Sequence, residues 1–529
     1  MSRNLRHLSA KLGLDNNLLE ILSTPSRAKK SLSLDEIAEK SLFSVSALNG
    51  TLSFYDFLKT GEAAPRQRTC QGTACRLSRT DNPVPPEQEA VQCCGYCYAG
   101  SGIIQSDAEG NWRSGRQGAE GFEQPPIPVY SLAQEPVLTG SAPAPEKLYR
   151  ASFGSPEEIL SELKDARLRG RGGAGFDFSF KCRALAQAAG KEKYIVCNAD
   201  EGDPGAFSDR YLLEKQPHKV MAGMYAAGVA GGASTGILYI RHEYPEAIIA
   251  IGEAIADYEE FSSGLKHPFR FHLVSGAGSY VCGEETALLN SIEGLRPEVR
   301  VRPPYPATSG LWGKPTLVSN VETFANIPWI LTEGGKTYAA IGSEHSKGVK
   351  LISLDSRFSR PGLYEVDFGH SFHDLIFHAA RGFNTEIKAL QVGGPLGSVI
   401  PTTHLDVLSL DFESFQQAGF ALGHAGVIAI PESCSMLEFM RHIFSYMAEE
   451  SCGKCTPCRL GTAKGSTLLN QTSKQRPLNL VLFEELLDVL EAGSLCALGG
   501  GLPLPMRNIL HHFQTELAPF IQSNGKTHG

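Results

Sequence analysis

The sequence predicts a multidomain protein that mixes α/β and α+β units, on three observations. At 529 residues the chain outgrows one ordinary core, and length alone argues for roughly three or four domains. Its glycine-dense middle alternates apolar, β-branched runs with helical patterns, as parallel-sheet units do. Nine of its 13 cysteines gather in two places, five between Cys70 and Cys97 and four between Cys452 and Cys496. In a chain this long such grouping speaks for metal rather than a disulfide framework. Cys182, Cys197, Cys282 and Cys434 are scattered and read as buried thiols.

Residues 1 to about 60 carry helical patterns such as LSLDEIAEKSLFSVSALNGTLSFYDFL, and a loop-rich cysteine segment follows from Cys70 to about Gly100; residues 1–120 read as one module. Residues 121–145 turn proline-rich and read as a linker. Residues 146–335 form the α/β domain, with strand candidates KYIVCNAD and TGILYIRHEY. Residues 336–420 read as a small α+β unit: two strands around the Pro-Gly turn of VKLISLDSRFSRPGLYEVDFG, a helix in SFHDLIFHAARG and a strand in IKALQVGG. Residues 421–529 are helical; Met436, Phe439, Met440, Ile443, Phe444 and Met447 repeat on one helix face, as core residues do.

Hydrophobic content of 42% with 20% charged residues is that of a soluble globular protein. Lys plus Arg is 49 and Asp plus Glu is 57, a net charge of −8, which argues against nucleic acid as the main partner. No apolar run approaches the ~20 residues of a membrane span. The N-terminal MSRNLRHLSAKLGLDNN lacks the apolar core of a signal peptide, so a cytoplasmic protein is expected.

In ESCGKCTPCRLGT, Cys452, Cys455 and Cys458 let one tight loop present three thiolates. Cys-x-x-Cys-x-x-Cys with a remote fourth cysteine is a [4Fe–4S] arrangement. Cys496 is the remote candidate, with 37 residues between it and Cys458, after a helix NLVLFEELLDVLEAG that stops at Gly493. Structural zinc and inert thiols are the alternatives, but zinc sites usually pair two separate knuckles.

The loop GRGGAGF (Gly170 to Phe176) satisfies G-x-G-x-x-G, yet the helical SPEEILSELKDARL precedes it where a dinucleotide fingerprint needs a strand. Bare backbone amides still let a phosphate or a flat ring approach closely, and a simple loop remains the alternative. NADEGDPGAFSDR places Asn198, Asp200, Glu201 and Asp203 just after an apolar strand, where open α/β sheets bind ligands. GAGSYVCGEETALLNSIEG delivers Glu284 and Glu285 at a helix start, where acids also favour the helix dipole.

These runs together, with LRPEVRVRPPYPATSGLWGKPT, SNVET and the later ESCGKCTPCRLGT and SLCALGG, resemble the NADH-binding flavoprotein subunit of respiratory complex I. They also resemble its counterparts in soluble NAD-dependent formate dehydrogenases and NAD-reducing hydrogenases; the resemblance covers about 150–529. It implies a Rossmann-like domain holding flavin mononucleotide (FMN), with NAD(H) stacked on the flavin, a ubiquitin-like β-grasp insert over 336–420, and a [4Fe–4S]-binding helical domain over 421–529. It further implies that Gly170, Arg171, Gly172, Gly173 and Lys181 hold flavin or dinucleotide. Asn198, Asp200, Glu201, Asp203, Tyr280, Gly283, Glu284 and Asn320 would line the flavin site. Phe176 and Tyr305 would stack on the adenine, with Glu285 and Arg302 nearby. Arg302 and Tyr305 stand where complex I chains usually carry Lys and Phe, and Ala184 where an aromatic neighbour of the adenine is common. Asp203 follows the soluble enzymes rather than complex I.

CQGTAC and CCGYC supply the pairs Cys70/Cys75 and Cys93/Cys97, which could hold a [2Fe–2S] cluster, one pair on each iron. They resemble the thioredoxin-like [2Fe–2S] module of complex I, shortened, because only 17 residues separate Cys75 from Cys93 and Cys94 replaces an apolar residue. A docking domain without a cluster, and zinc, are the alternatives.

The expected activity is that of a diaphorase: NADH passes a hydride to flavin, and iron–sulfur centres carry single electrons to a partner. No protein side chain is assigned as a general acid or base. The sequence contains no molybdenum-cofactor or nickel motif, so the expected partners are molybdenum formate dehydrogenase or nickel hydrogenase subunits, with small iron–sulfur subunits. The alternatives are a complex I subunit and a non-catalytic electron-transfer scaffold. A scaffold would have lost GRGGAGF or the glutamate pair, and both stand.

Overall fold

The computed structural model describes residues 34–41, 43–58, 67–79, 89–108, 110–118, 121–150 and 154–522, with Leu19 and Leu22. The N-terminal segment on which the cytoplasmic reading drew lies outside the described residues. Three sheets organise the rest.

The first sheet contains β1 (Gln67–Cys70), β2 (Ala90–Val91), β3 (Gly102–Ser106), β4 (Trp112–Gly118) and β5 (Gly121–Glu123), in the order β2-β1-β3-β4-β5. Only β1 and β2 run parallel. Before it, helix Val45–Phe54 starts at Ser44, whose hydroxyl accepts from the amide of Ala47. The chain after this helix docks onto the next domain: the amides of Asp56 and Phe57 donate to the carbonyls of Gly278 and Ala277, and the Tyr55 hydroxyl donates to Ser291 Oγ at 2.7 Å.

The stretch 121–145, expected as a linker, is instead woven into two sheets. It carries β5 and β6 (Val129–Ser131), and β6 pairs in parallel with the edge of the third sheet. Prolines 125, 126 and 128 stop the run from reading as a strand; an edge strand tolerates them because one side of its backbone needs no ladder partner.

The second sheet is the scaffold of the site: β7 (Tyr194–Ala199), β8 (Thr235–Ile240), β9 (Arg270–Ser275) and β10 (Thr316–Asn320), all parallel, in the order β10-β7-β8-β9. Both faces are covered, as a parallel sheet requires. Along β7, Ile195 and Cys197 pack with helices Pro217–Gly231 and Val321–Glu333, while Tyr194 and Val196 pack with Leu48 and helix Glu285–Ile292. The period of two puts alternate side chains on opposite faces.

The third sheet holds β11 (Val349–Leu354), β12 (Gly362–Asp367), β13 (Ile387–Val392), β14 (Ser398–Pro401) and β15 (Gly426–Pro431), in the order β14-β13-β15-β11-β12-β6. β11 and β12 form the expected antiparallel pair. The unit reaches beyond residues 336–420, because β6 and β15 both belong to it. Helices Met436–Glu449, Thr456–Gln471, Leu480–Gly493 and Pro503–His512 complete the chain, and the six apolar residues from Met436 to Met447 are buried. Among the described residues no helix is long and apolar enough to cross a membrane.

Candidate functional site

The C-terminal ends of β7 and β10 lie side by side, so Asn198 and Asn320 are register partners at the sheet edge. A cavity of about 420 Å³ opens there, lined by Gly172, Gly173, Asn198, Asp200, Glu201, Asp203, Tyr280, Gly283, Glu284 and Asn320, all expected from the sequence. Gly172 packs closely on Asn320, where a Cβ would sit 3.1 Å from Asn320 Cβ and crowd it. Gly173 has φ +111°, a conformation that favours glycine. The Asn198 amide donates to the Gly283 carbonyl at 2.8 Å, and Tyr280 donates its hydroxyl to Asp203 at 2.7 Å. Glu284 caps helix Glu285–Ile292, accepting from the amides of Thr286 and Ala287, each at 2.9 Å.

The cavity is rich in polar groups with unused capacity. Asp200 Oδ2, Asp209 Oδ1, Glu284 Oε1 and both ring nitrogens of His424 are buried without a hydrogen-bond partner. Burial, with smaller contributions from nearby carboxylates, pushes Asp200 well above the usual carboxylate range. Burial and then Asp209 lift Glu201 to about 7. Burial raises Asp203 as well. A glycine-floored cavity with orphaned donors and acceptors suits a flat polar ligand such as flavin.

Gly170 and Arg171, expected beside Gly172 and Gly173, stand outside this cavity. The Arg171 side chain is fully buried and turned away: it donates to Tyr338 Oη at 2.8 Å and the Lys347 carbonyl at 2.7 Å, and lies 4.5 Å from the Phe368 ring centroid. Gly170 shapes the loop by donating its amide to the Phe176 carbonyl at 2.8 Å.

A second group lies at the surface. Lys181 Nζ meets Glu285 at 3.3 Å and the Val318 carbonyl at 3.1 Å, and Arg302 meets the other oxygen of Glu285 at 2.9 Å. Phe176 and Tyr305 are 49% and 60% exposed, unusual for large aromatics without a ligand. Phe180, 57% exposed, stands edge-on to Phe176 at 5.6 Å between centroids. It was not expected from sequence, because the pattern FDFSF alternates as a buried strand would.

Cys452, Cys455, Cys458 and Cys496 line one small cavity with Val281, Val299 and Leu498. Gly453, at φ +76°, makes the turn, and Arg296 pins it by donating to the Cys452 carbonyl at 3.1 Å. Four thiols in an apolar pocket fit an iron–sulfur cluster. Cys496, Val281 and Leu498 also line the larger cavity, so the two share a wall.

At the other end of the acidic turn, Cys70, Cys75, Cys93 and Cys97 are buried and free. The Cys70 thiol donates to the Gln92 carbonyl at 3.6 Å, the neighbouring thiols of Cys75, Cys93 and Cys94 push its pKa well above the ordinary value, and Cys93 Sγ lies 3.8 Å from Cys97 Sγ. Cys97 Sγ accepts from the amide of Gly205, two residues past Asp203, at 3.2 Å. Cys94 therefore joins the cluster as a fifth thiol. Asp209 and His424 were likewise absent from the sequence-based set.

Residues 163–329 match the family model described as the Nuo51 FMN-binding domain, and residues 438–519 that of the NADH-ubiquinone oxidoreductase-F iron-sulfur binding region. The second F-type subunit of the NADH-quinone oxidoreductase of Rhizobium meliloti (strain 1021) is 39% identical over 415 residues, covering 73% of this chain and 98% of that one. The NADP-reducing hydrogenase subunit HndC of Solidesulfovibrio fructosivorans is 39% identical over 381 residues, 70% of this chain and 77% of that one. In three dimensions the chain is similar to a chain in the crystal structure of an NAD+-reducing [NiFe]-hydrogenase in the H2-reduced state, with a TM-score of 0.84 and 27% identity over 96% of this chain and 93% of that one. The chain belongs to the family of the F-type subunits of NADH-quinone oxidoreductase, oxidoreductases built on an FMN-binding domain and an iron–sulfur-binding region.

Proposed function

We propose that this chain is the diaphorase subunit of an NAD-linked enzyme, with FMN in the cavity at the ends of β7 and β10. The observation that carries this is the shared wall: Cys496, Val281 and Leu498 border both the glycine-floored cavity and the four-thiol pocket. When bound, FMN exchanges electrons in pairs with nicotinamide and singly with iron–sulfur centres. The chain's own residues bind and orient. Gly172 and Gly173 admit the ring, Asn198 and Asn320 fix the cavity edge, and Tyr280 holds Asp203. Phe176, Tyr305, Lys181, Glu285 and Arg302 receive the dinucleotide at the surface. Holding both ligands in register lowers the barrier by orientation rather than by protein acid–base chemistry.

The N-terminal thiols of Cys70, Cys75, Cys93 and Cys97 are read as a [2Fe–2S] site in a shortened thioredoxin-like module, and the third sheet as a β-grasp unit. The convergence of the thiols against the Gly205 amide supports a second electron port beside the same cavity. The likeness to the NAD+-reducing hydrogenase over nearly the full chain favours a soluble assembly in the cytoplasm, with a nickel hydrogenase or a molybdenum formate dehydrogenase as partner. The metal that co-purifies with the native assembly, nickel or molybdenum, decides between them. The purified chain is expected to be yellow-brown and to reduce ferricyanide with NADH; protein free of both flavin and iron after anaerobic purification defeats the reading.

A further inference from the structure

Five carboxylates line the proposed flavin cavity, from Asp200, Glu201, Asp203, Asp209 and Glu284, against a single basic side chain, His424. That histidine comes from a different sheet. It sits in the turn Gly423–His424–Ala425 that leads into β15, and this turn lies on the glycine loop: a Cβ at Gly173 would be 3.5 Å from the Gly423 carbonyl carbon and from the His424 amide nitrogen. The turn is held in an unfavourable shape. Ala425 has φ +67°, a left-handed conformation that a non-glycine residue adopts only at a cost. Gly423 at φ +57° crosses Gly393, with room for no side chain between them.

His424 is only 7% exposed, yet neither ring nitrogen has a hydrogen-bond partner. Its Nε2 lies 3.6 Å from Glu201 Oε1 and 3.6 Å from Asp209 Oδ2. Both acids are themselves anchored. Glu201 accepts from the amides of Asp209 and Arg210 and from the hydroxyls of Ser208 and Tyr244, and Asp209 accepts from the Asn320 amide at 2.6 Å. The ring thus lines the cavity beside two anchored acids, with no ring nitrogen committed to a hydrogen bond. Burial alone would depress its pKa, but Asp209 and Glu201 outweigh burial and lift it to about 9, so the ring is charged at neutral pH.

We propose that His424 is the cationic positioning residue of the flavin cavity, holding a charged N–H against the bound flavin and offsetting the carboxylates around it. The proposal rests on the flavin reading above. Reduced flavin carries negative charge that the oxidised form lacks, so a fixed cation favours the reduced form and raises the flavin potential. A histidine that serves only to pair Asp209 and Glu201 would brace both forms equally.

The test uses the full chain with its iron–sulfur centres, stripped of flavin and titrated with FMN, oxidised and reduced, beside spectroelectrochemistry of the flavin. His424→Gln is expected to weaken reduced FMN at least tenfold more than oxidised FMN. For a two-electron couple that tenfold ratio is a fall in midpoint potential of about 30 mV. His424→Lys restores the wild-type ratio. The proposal is overturned if both FMN forms weaken equally, if neither changes, or if lysine does no better than glutamine. Should His424→Gln fail to fold, as its iron–sulfur spectrum and unfolding midpoint would report, His424→Asn is judged by the same ratio. Wild-type protein that binds no FMN sinks the flavin reading itself, a result distinct from any of these.

Discussion

Glu284 and Glu285 are adjacent in sequence but face different tasks. Glu284 is half cap and half cavity wall: one oxygen takes the Thr286 and Ala287 amides, while the other is buried in the cavity, 3.7 Å from Arg302. Removing such a cap costs about 1 kcal/mol of helix stability. Glu285 instead draws Lys181 and Arg302 together, 3.3 Å and 2.9 Å away, at the exposed aromatic face. All three groups are partly exposed, so the pairs contribute little to stability; their effect is to hold two cations in place beside the dinucleotide site. Glu285→Gln is therefore expected to leave the flavin content and unfolding midpoint unchanged, within about 0.5 kcal/mol, while raising the KM for NADH several-fold. Steady-state kinetics with ferricyanide checks this, and flavin loss on purification of the variant contradicts it.

Helix Thr456–Gln471 carries the cysteine loop at its start and is fixed by glycines along its length. Gly461 lies against Leu490 and Gly465 against the buried ring of Phe444; a Cβ at Gly465 would fall 2.1 Å from Phe444 Cε1. Alanine is the better helix former by about 1 kcal/mol, but overpacking a core costs roughly 1–3 kcal/mol. The clash decides the sign: Gly465→Ala should lower the unfolding midpoint, and a raised midpoint in chemical denaturation refutes the packing. Elements of this kind were legible because one periodicity carries each of them. The stripe from Met436 to Met447, the helix stop at Gly493 and the β-branched runs of β7 and β8 all follow from local pattern. β6 escaped because its flanking prolines suggest a linker, and its partner β12 is remote in sequence. His424 escaped for a similar reason. A histidine in an ordinary Gly-His-Ala turn has no motif, and only the crossing of two sheets brings it to Glu201. Arg171 misled in the opposite sense: its motif suggests a ligand contact, but its side chain turns to Tyr338 and Phe368.

At the scale of the whole molecule, a site built from buried acids leaves a mark on stability. Burial raises Glu201 to about 7, Asp355 to about 7 and Glu450 to about 8, and Asp209 with Glu201 raises His424 to about 9 against its burial. Each group binds its proton more tightly folded than unfolded. Its contribution is complete below the unfolded pKa and is lost as pH rises through the folded one. Of the groups of opposite sign, the Cys93 thiol, lowered well below its ordinary value chiefly by Cys70 and Cys97, offsets part of this loss, and the others act mainly outside one window. Burial depresses His242 to about 4 and His442 to about 3, so these favour the folded state increasingly as pH climbs to about 6.5. Burial also lowers Lys219 to about 8, which adds stability only above that pH. Between about pH 7 and 8 the acids and His424 act together. A group shifted by about two units carries on the order of 2–3 kcal/mol across its full titration, so the loss inside this narrow window is on the order of 2 kcal/mol in sum. The flavin-free chain should accordingly unfold at a denaturant concentration that falls from pH 7 to pH 8 at fixed ionic strength. His424→Gln should flatten that slope, since the variant loses one of the contributing protons. A midpoint that rises over the same interval would mean that these carboxyls are ionised in the folded chain and that water or counter-ions reach them.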